Sequence, residues 1–320
     1  MEVDLSNYGG LIQSIRVPDQ YGNPVDVVLG FDTLSDYLST DYLSNYPYFG
    51  TIIGRYANRI AQAGFKLEGK NVSVSANTPP HQLHGGFEGF DKKVWTIKSL
   101  SESPEPCLIL SYLSPDGEEG FPGNLQVELS FTLGLDNELR LDIQAQTDRD
   151  TAINLTHHGY FNLNGDGKSI AEHQIQLSAD YYLAQDADFV PTGILSPVKG
   201  TPKDFTQSKQ INQDWDPENG YDQAFVLNEI DLSKPAAMAC SAQSGIKMEL
   251  YTNQPAIQFY TSKHLAPIKG KRGQVYQPFS GFCLEDQVHP DAVNKPYFPN
   301  TILKAGQTYS HQTIYKFSTL

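Results

Sequence analysis

Cysteine is scarce in this chain: Cys107, Cys240 and Cys283 are odd in number, far apart and without a Cys-x-x-Cys pair. That spacing excludes a disulfide framework and offers no zinc-ligand set, so reduced thiols in a reducing compartment are expected. Basic residues are also short, 23 Lys and Arg against 37 Asp and Glu for a net charge of -14. Such a balance argues against nucleic acid or an anionic membrane surface as the principal partner and favours a neutral ligand. No run of about 18 apolar residues occurs, and Met1-Glu2-Val3-Asp4 lacks the basic and then apolar regions of a signal peptide. Neither a membrane span nor secretion is expected, and a cytoplasmic location is the default.

Several catalytic signatures are missing too. There is no P-loop and no Gly-x-Ser-x-Gly elbow, and Gly54-Arg55-Tyr56-Ala57-Asn58-Arg59 lacks the glycine spacing of a dinucleotide fingerprint. Eight histidines are present, but none forms His-Glu-x-x-His, and His81-x-x-His84 lies in a loop rich in Pro and Gly. A metal and a cofactor are therefore not expected, which leaves acid/base chemistry or pure binding.

What is present is a β pattern. Leu125, Val127, Leu129, Phe131 and Leu133 alternate with polar residues, as do Leu139, Leu141, Ile143 and Ala145, and the Gly134 to Glu138 link predicts an antiparallel hairpin. Strands are expected at Glu2 to Leu5, from Leu11, and over Val25 to Gly30. Shorter runs follow at Ile175 to Leu183, Ala224 to Leu227, Met248 to Tyr251, Ile257 to Tyr260 and Phe282 to Glu285. Leu34, Tyr37 and Leu38 recur at helical spacing behind Asp32-Thr33, a candidate N-cap, and predict one short helix. With 39% hydrophobic residues, 26 glycines, 20 prolines and no βα rhythm, the chain reads as one all-β domain over residues 1–320, a large antiparallel β-sandwich with few short helices.

Two stretches carry groups suited to proton transfer. Thr156-His157-His158-Gly159-Tyr160 places two histidines beside an aromatic, and histidine titrates near neutrality. Gly281-Phe282-Cys283-Leu284-Glu285-Asp286-Gln287 puts carboxylates in an apolar strand, with Cys283, Glu285 and Gln287 on one face and Phe282, Leu284 and Asp286 on the other. A carbonyl-satisfied core histidine and a structural ion pair account for these residues as readily as catalysis does.

In combination, the motifs resemble the aldose 1-epimerase (mutarotase) family. They run in order through Asn7-Tyr8-Gly9, Asp26 to Phe31, Gly54 to Ile60, Leu83-His84-Gly85-Gly86, Ser114 to Gly123, the histidine stretch, Pro191-Thr192-Gly193, Gly200 to Phe205, Gly220-Tyr221-Asp222 and Leu284 to Asn294. Ten pieces in order over about 290 residues are far more specific than any one short motif. The resemblance implies a cleft for a free aldose such as galactose or glucose and cofactor-free interconversion of its α and β anomers. It also implies Glu285 as base and His158 as acid, with Asn58, Arg59, His84, Asp222 and Gln258 as sugar contacts. Three departures stand out. His157 replaces a family amide and Gly159 a Ser or Thr; Ala256 replaces a Gly near Gln258; and Met1 sits where family members have already completed a pair of strands, so Glu2 to Leu5 is expected as an exposed edge. Alternation sends His157 and His158 to opposite faces, and only His158 lies two residues before Tyr160 as the family's histidine does.

Two other functions fit the sequence: a carbohydrate-binding protein without turnover, and a hexose 6-phosphate epimerase that uses Lys263, Lys269, Lys271 and Arg272. Either a monomer or a homodimer is compatible with it. For catalysis, Glu285 must be ionised and His158 protonated. At a separation of roughly 6 Å and an effective dielectric of about 20, Glu285 would raise His158 by about two pKa units, of which desolvation leaves about one.

Overall fold

The alternation over Leu125–Leu133 and Glu138–Thr147 folds into a fully paired antiparallel hairpin, with Val127, Leu129, Phe131, Leu139, Leu141 and Ile143 turned inward and buried. This hairpin lies within a nine-stranded antiparallel sheet of a computed structural model that describes residues 1–320. Its order is Lys209–Gln210, Gln174–Leu177, Ala237–Cys240, Ile246–Thr252, Thr308–Thr319, Glu138–Thr147, Leu125–Leu133, Cys107–Ser114 and Thr96–Ser101.

A five-stranded antiparallel sheet forms the second layer, in the order Pro191–Pro197, Tyr181–Gln185, Asp222–Val226, Ala256–Tyr260 and Cys283–Gln287. Phe225, Ile257, Phe259 and Leu284 from this sheet join Val127, Leu141, Ile143, Tyr315 and Phe317 from the other in a single apolar cluster. Each such side chain contributes about 1.5–3 kcal/mol by leaving water, and period-two alternation then commits the opposite face of the five-stranded sheet to other work. The architecture is the expected all-β sandwich, and its one α-helix, Thr40–Asn45, is six residues long.

Local expectations hold unevenly. Glu2–Ser6 pairs with Leu11–Pro18 on one side only and so forms the edge of a small three-stranded sheet. Leu34–Leu38 is a 3-10 helix rather than an α-helix, because only Tyr37 of the three spaced residues is buried. Thr33 makes no backbone cap; its hydroxyl bonds Asp36, and Ser39 caps the next helix by accepting the Tyr42 N–H at 3.3 Å. The regular strand is Pro24–Asp26 rather than 25–30: Val27 N–H still donates to Ile15 O, but Val27 O accepts the Asn162 N–H and Leu29 N–H donates to Tyr160 O. Ile175 to Leu183 divides at Ser178–Asp180, where the chain leaves the larger sheet for the smaller.

His157 belongs to this core. Its Nδ1 lies 3.0 Å from the Tyr315 hydroxyl and its Nε2 3.1 Å from the Gly50 carbonyl oxygen, so both ring nitrogens are satisfied. A Cβ added at Gly159 would stand 2.6 Å from His157 Cε1. The His-Gly departure from the family pattern is therefore one packing change: the ring at 157 occupies the space a side chain at 159 would need. Gly159→Ser is expected to lower stability by about 1–3 kcal/mol, as overpacking of a fixed ring does. Chemical denaturation should show the loss reduced in the His157→Asn/Gly159→Ser double variant, with a coupling of about 1 kcal/mol. Additive losses would mean the two positions do not share that space.

Candidate active site

The outward face of the five-stranded sheet presents Asp222, Gln258 and Glu285 from three adjacent strands, with Gln258 directly opposite Glu285 in the ladder. His158 reaches the same place through mutual bonds just beyond it: Phe161 N–H donates to Phe282 O at 2.7 Å and Phe282 N–H to Phe161 O at 2.9 Å. The remaining wall is built by the pairing of Arg59–Ile60 with Gln82–Leu83. There His84 N–H donates to Asn58 O at 3.1 Å while Asn58 N–H donates to His84 Nδ1 at 3.3 Å. Asn58 Oδ1 accepts the Arg59 N–H at 2.9 Å, which leaves its amide NH2 for a ligand.

The seven residues named from sequence, Asn58, Arg59, His84, His158, Asp222, Gln258 and Glu285, thus line one pocket. His157 lies outside it. His158 Nε2 stands 3.6 Å from Glu285 Oε1, and both side chains are almost fully buried. Tyr48 and Tyr160 stack on the His158 ring at 5.7 and 5.1 Å, which fixes its plane. Asp222 Oδ1 accepts the Gln258 amide at 2.5 Å, and the Arg59 guanidinium lies 5.1 Å from the Phe189 ring. Glu285 Oε2 and Arg59 Nε have no partner within the protein and remain for a ligand.

Electrostatics reverse one expectation. Burial, with a smaller effect from His157, pushes His158 down to about 3, the opposite of the expected rise. Glu285 is pushed well above its ordinary range by burial, then by Asp222 and Asp286. At 3.6 Å an ion pair would gain about 4 to 5 kcal/mol at an effective dielectric of about 20. Desolvation of two ions costs several kcal/mol each and outweighs that gain. The protein groups of the pocket accordingly favour a neutral carboxylic acid beside a neutral imidazole. Asp222 is also raised by burial, an effect that the Gln258 bond and then Arg59 oppose.

His84, His158 and Glu285 hold atoms of metal-ligating type within 4.8 Å of one another. They do not fit a metal well. His84 Nδ1 already accepts the Asn58 N–H, so its proton sits on Nε2 and that nitrogen offers no lone pair. The arrangement suits hydrogen bonding to a polyol, with a donor at His84, a carboxylate at Asp222, and a proton-exchanging pair at its centre. Sequence reasoning missed the aromatic walls Tyr48 and Tyr260 and the rim residue His264. Tyr260, in alternation with Gln258, was the one such residue a strand reading could have found.

Comparison with known proteins agrees. The aldose 1-epimerase family model matches residues 1–316. Galactose mutarotase of Rattus norvegicus is 43% identical over 99% of this chain and 91% of its own length, and aldose 1-epimerase of Haemophilus influenzae is 38% identical over 99% and 92%. The crystal structure of an aldose epimerase homologue from C. elegans superposes with a TM-score of 0.91 at 30% identity, covering 99% of this chain and 95% of that one. With its motifs in order, its sandwich and its pocket, the chain belongs to the aldose 1-epimerase family of isomerases.

Proposed function

We propose that Glu285 and His158 exchange protons with the anomeric hydroxyl and the ring oxygen of a free hexose, galactose or glucose, and so interconvert its α and β anomers. The 3.6 Å approach of His158 Nε2 to Glu285 Oε1 carries this reading. A carboxylate takes the anomeric proton while an imidazolium protonates the ring oxygen, and the ring opens. Opening converts Glu285 carboxylate and His158 imidazolium into carboxylic acid and imidazole with no change in total protons. The resting pair first passes its single proton from Glu285 to His158, at a cost that burial sets, and ring opening returns it to the neutral form that burial favours. Rotation about the bond to C2 and the reverse transfer then close either face. Asn58, Arg59, His84, Asp222 and Gln258 hold the hydroxyls.

The phosphate reading loses its cations. Lys271 is buried on Asp26 at 2.6 Å, Arg272 bonds Gly165 O, Lys263 bonds Asn219, and none of the four basic residues lines the pocket. A sugar-binding protein without turnover would have no use for the proton-exchanging pair. We further propose that residues 1–320 act as one domain in the cytoplasm, as a monomer or homodimer without a nucleic-acid partner; the net charge of -14 supports the last point. No helix is long and apolar enough to cross a membrane.

Polarimetry of freshly dissolved α-galactose and α-glucose tests the activity. Glu285→Gln and His158→Asn should each lower the rate by at least about 100-fold, the usual weight of general acid/base groups. Near-normal turnover in Glu285→Gln would remove the mechanism. The rate over KM should be bell-shaped, because only the pair with one proton is competent. Adding a second proton to His158, lowered to about 3, sets the acid limb far below the usual histidine range, and losing the last proton sets the alkaline limb well above the usual glutamate range. An acid limb near 6.5, the ordinary histidine value, would show that burial does not govern the pair.

A further inference from the structure

The strand that turns Glu285 into the pocket turns its neighbour, Asp286, into the space between the sheets, where it is fully buried. There Asp286 Oδ2 accepts from three side chains of the nine-stranded sheet: His311 Nε2 at 2.7 Å, Thr313 Oγ1 at 2.7 Å, and the Thr252 hydroxyl. The chain of contacts continues. His311 Nδ1 lies 3.4 Å from the Tyr309 hydroxyl, and that oxygen accepts the N–H of Leu155, three residues before His158, at 3.2 Å. With its oxygen accepting from Leu155, the Tyr309 hydroxyl can direct its own proton at His311 Nδ1, which leaves the His311 proton on Nε2 facing Asp286. That tautomer would leave His311 without charge and the negative charge of Asp286 uncancelled.

We propose that Asp286 is a positioning residue whose buried negative charge, held by His311, Thr252 and Thr313, acts through Glu285 to keep the shared proton on the catalytic pair. The inference rests on the reading of Glu285 and His158 as base and acid. It supplies what the pocket alone lacks, a fixed charge behind the base that a sugar cannot displace. A like charge next along the strand disfavours ionisation of Glu285 and makes it a stronger base. The groups facing Glu285 are His84 from the opposite wall, His158 and Tyr160 from the histidine stretch, Asp222, Tyr260, and Cys283 on its own strand. Those facing Asp286 are His311, Tyr309, Tyr315 and His157. Asp222 is the only other carboxylate in the set, and it is tied to Gln258. Burial alone would raise Asp286, yet His311 and the two hydroxyls hold it below its ordinary value.

Asp286→Asn removes the charge and keeps the shape. The alkaline limb of kcat/KM should move to lower pH by about one unit, the size expected for a unit charge at strand-neighbour distance. KM should change less than about twofold while kcat on the alkaline side falls, the pattern of an interaction made in the transition state. Asp286→Thr, which also removes the charge between two existing threonines, should give the same displacement. An unmoved limb in either variant that retains cooperative unfolding would overturn the proposal. Should neither fold, 15N shifts of His311 in the wild-type protein decide the matter: a neutral Nε2–H ring at neutral pH supports it, and an imidazolium, which would cancel the charge, overturns it. Loss of activity in Glu285→Gln together with an unmoved limb in Asp286→Asn would reject this inference alone. Full activity in Glu285→Gln would reject the underlying reading.

Discussion

Glu285 and His158 approach at 3.6 Å, each almost fully buried at the floor of the pocket, and the cost of holding charge there governs the rest of the site. In water the two groups would form an ordinary ion pair. Here desolvation outweighs their attraction, and a single proton is better placed on the carboxyl than on the imidazole. In the proposed mechanism that proton passes to His158 before the ring opens, and opening returns the pair to its neutral form. The aromatic walls at Tyr48 and Tyr160 serve this constraint twice, by covering the His158 ring and by fixing its plane.

Strand alternation explains how such a pocket can stand on a stable sheet. One face of the five-stranded sheet gives Phe225, Ile257, Phe259 and Leu284 to the core, and the other is left free for Asp222, Gln258 and Glu285. Asp286 is the charged exception on the inner face: its Oδ2 accepts from three donors of the larger sheet, while its Oδ1 has no partner within the protein. His157 and His158 repeat the division within two residues, one bonded into the core and one facing the pocket.

Period-two alternation made the Leu125–Leu133 hairpin and the opposed faces of Cys283–Gln287 legible in the sequence, because a half-buried strand cannot hide its pattern. The same alternation on both sides of Ser178–Asp180 concealed the change of sheet, since each half fits a strand equally well. The spacing of Leu34, Tyr37 and Leu38 marked a short helix correctly but not its 3-10 form, since Leu34 and Leu38 are exposed and Tyr37 alone packs. The site residues were named through family resemblance, and the convergence of all seven on one pocket depends on pairings across 227 residues between Asn58 and Glu285 that no local pattern records. The shift of His158 was given the wrong sign because burial, the largest influence on it, belongs to the fold. The partners of Asp286 and the space shared by His157 and Gly159 were hidden for the same reason.

Infrared difference spectroscopy of the sugar-free protein at neutral pH, wild type minus Glu285→Gln, reads the protonation of Glu285 without reference to turnover. The account predicts the carbonyl stretch of a protonated carboxyl group, present in the wild type and absent from the variant. A carboxylate band in its place, accompanied by imidazolium 15N shifts for His158, would mean that the pocket holds an ion pair and would contradict the account.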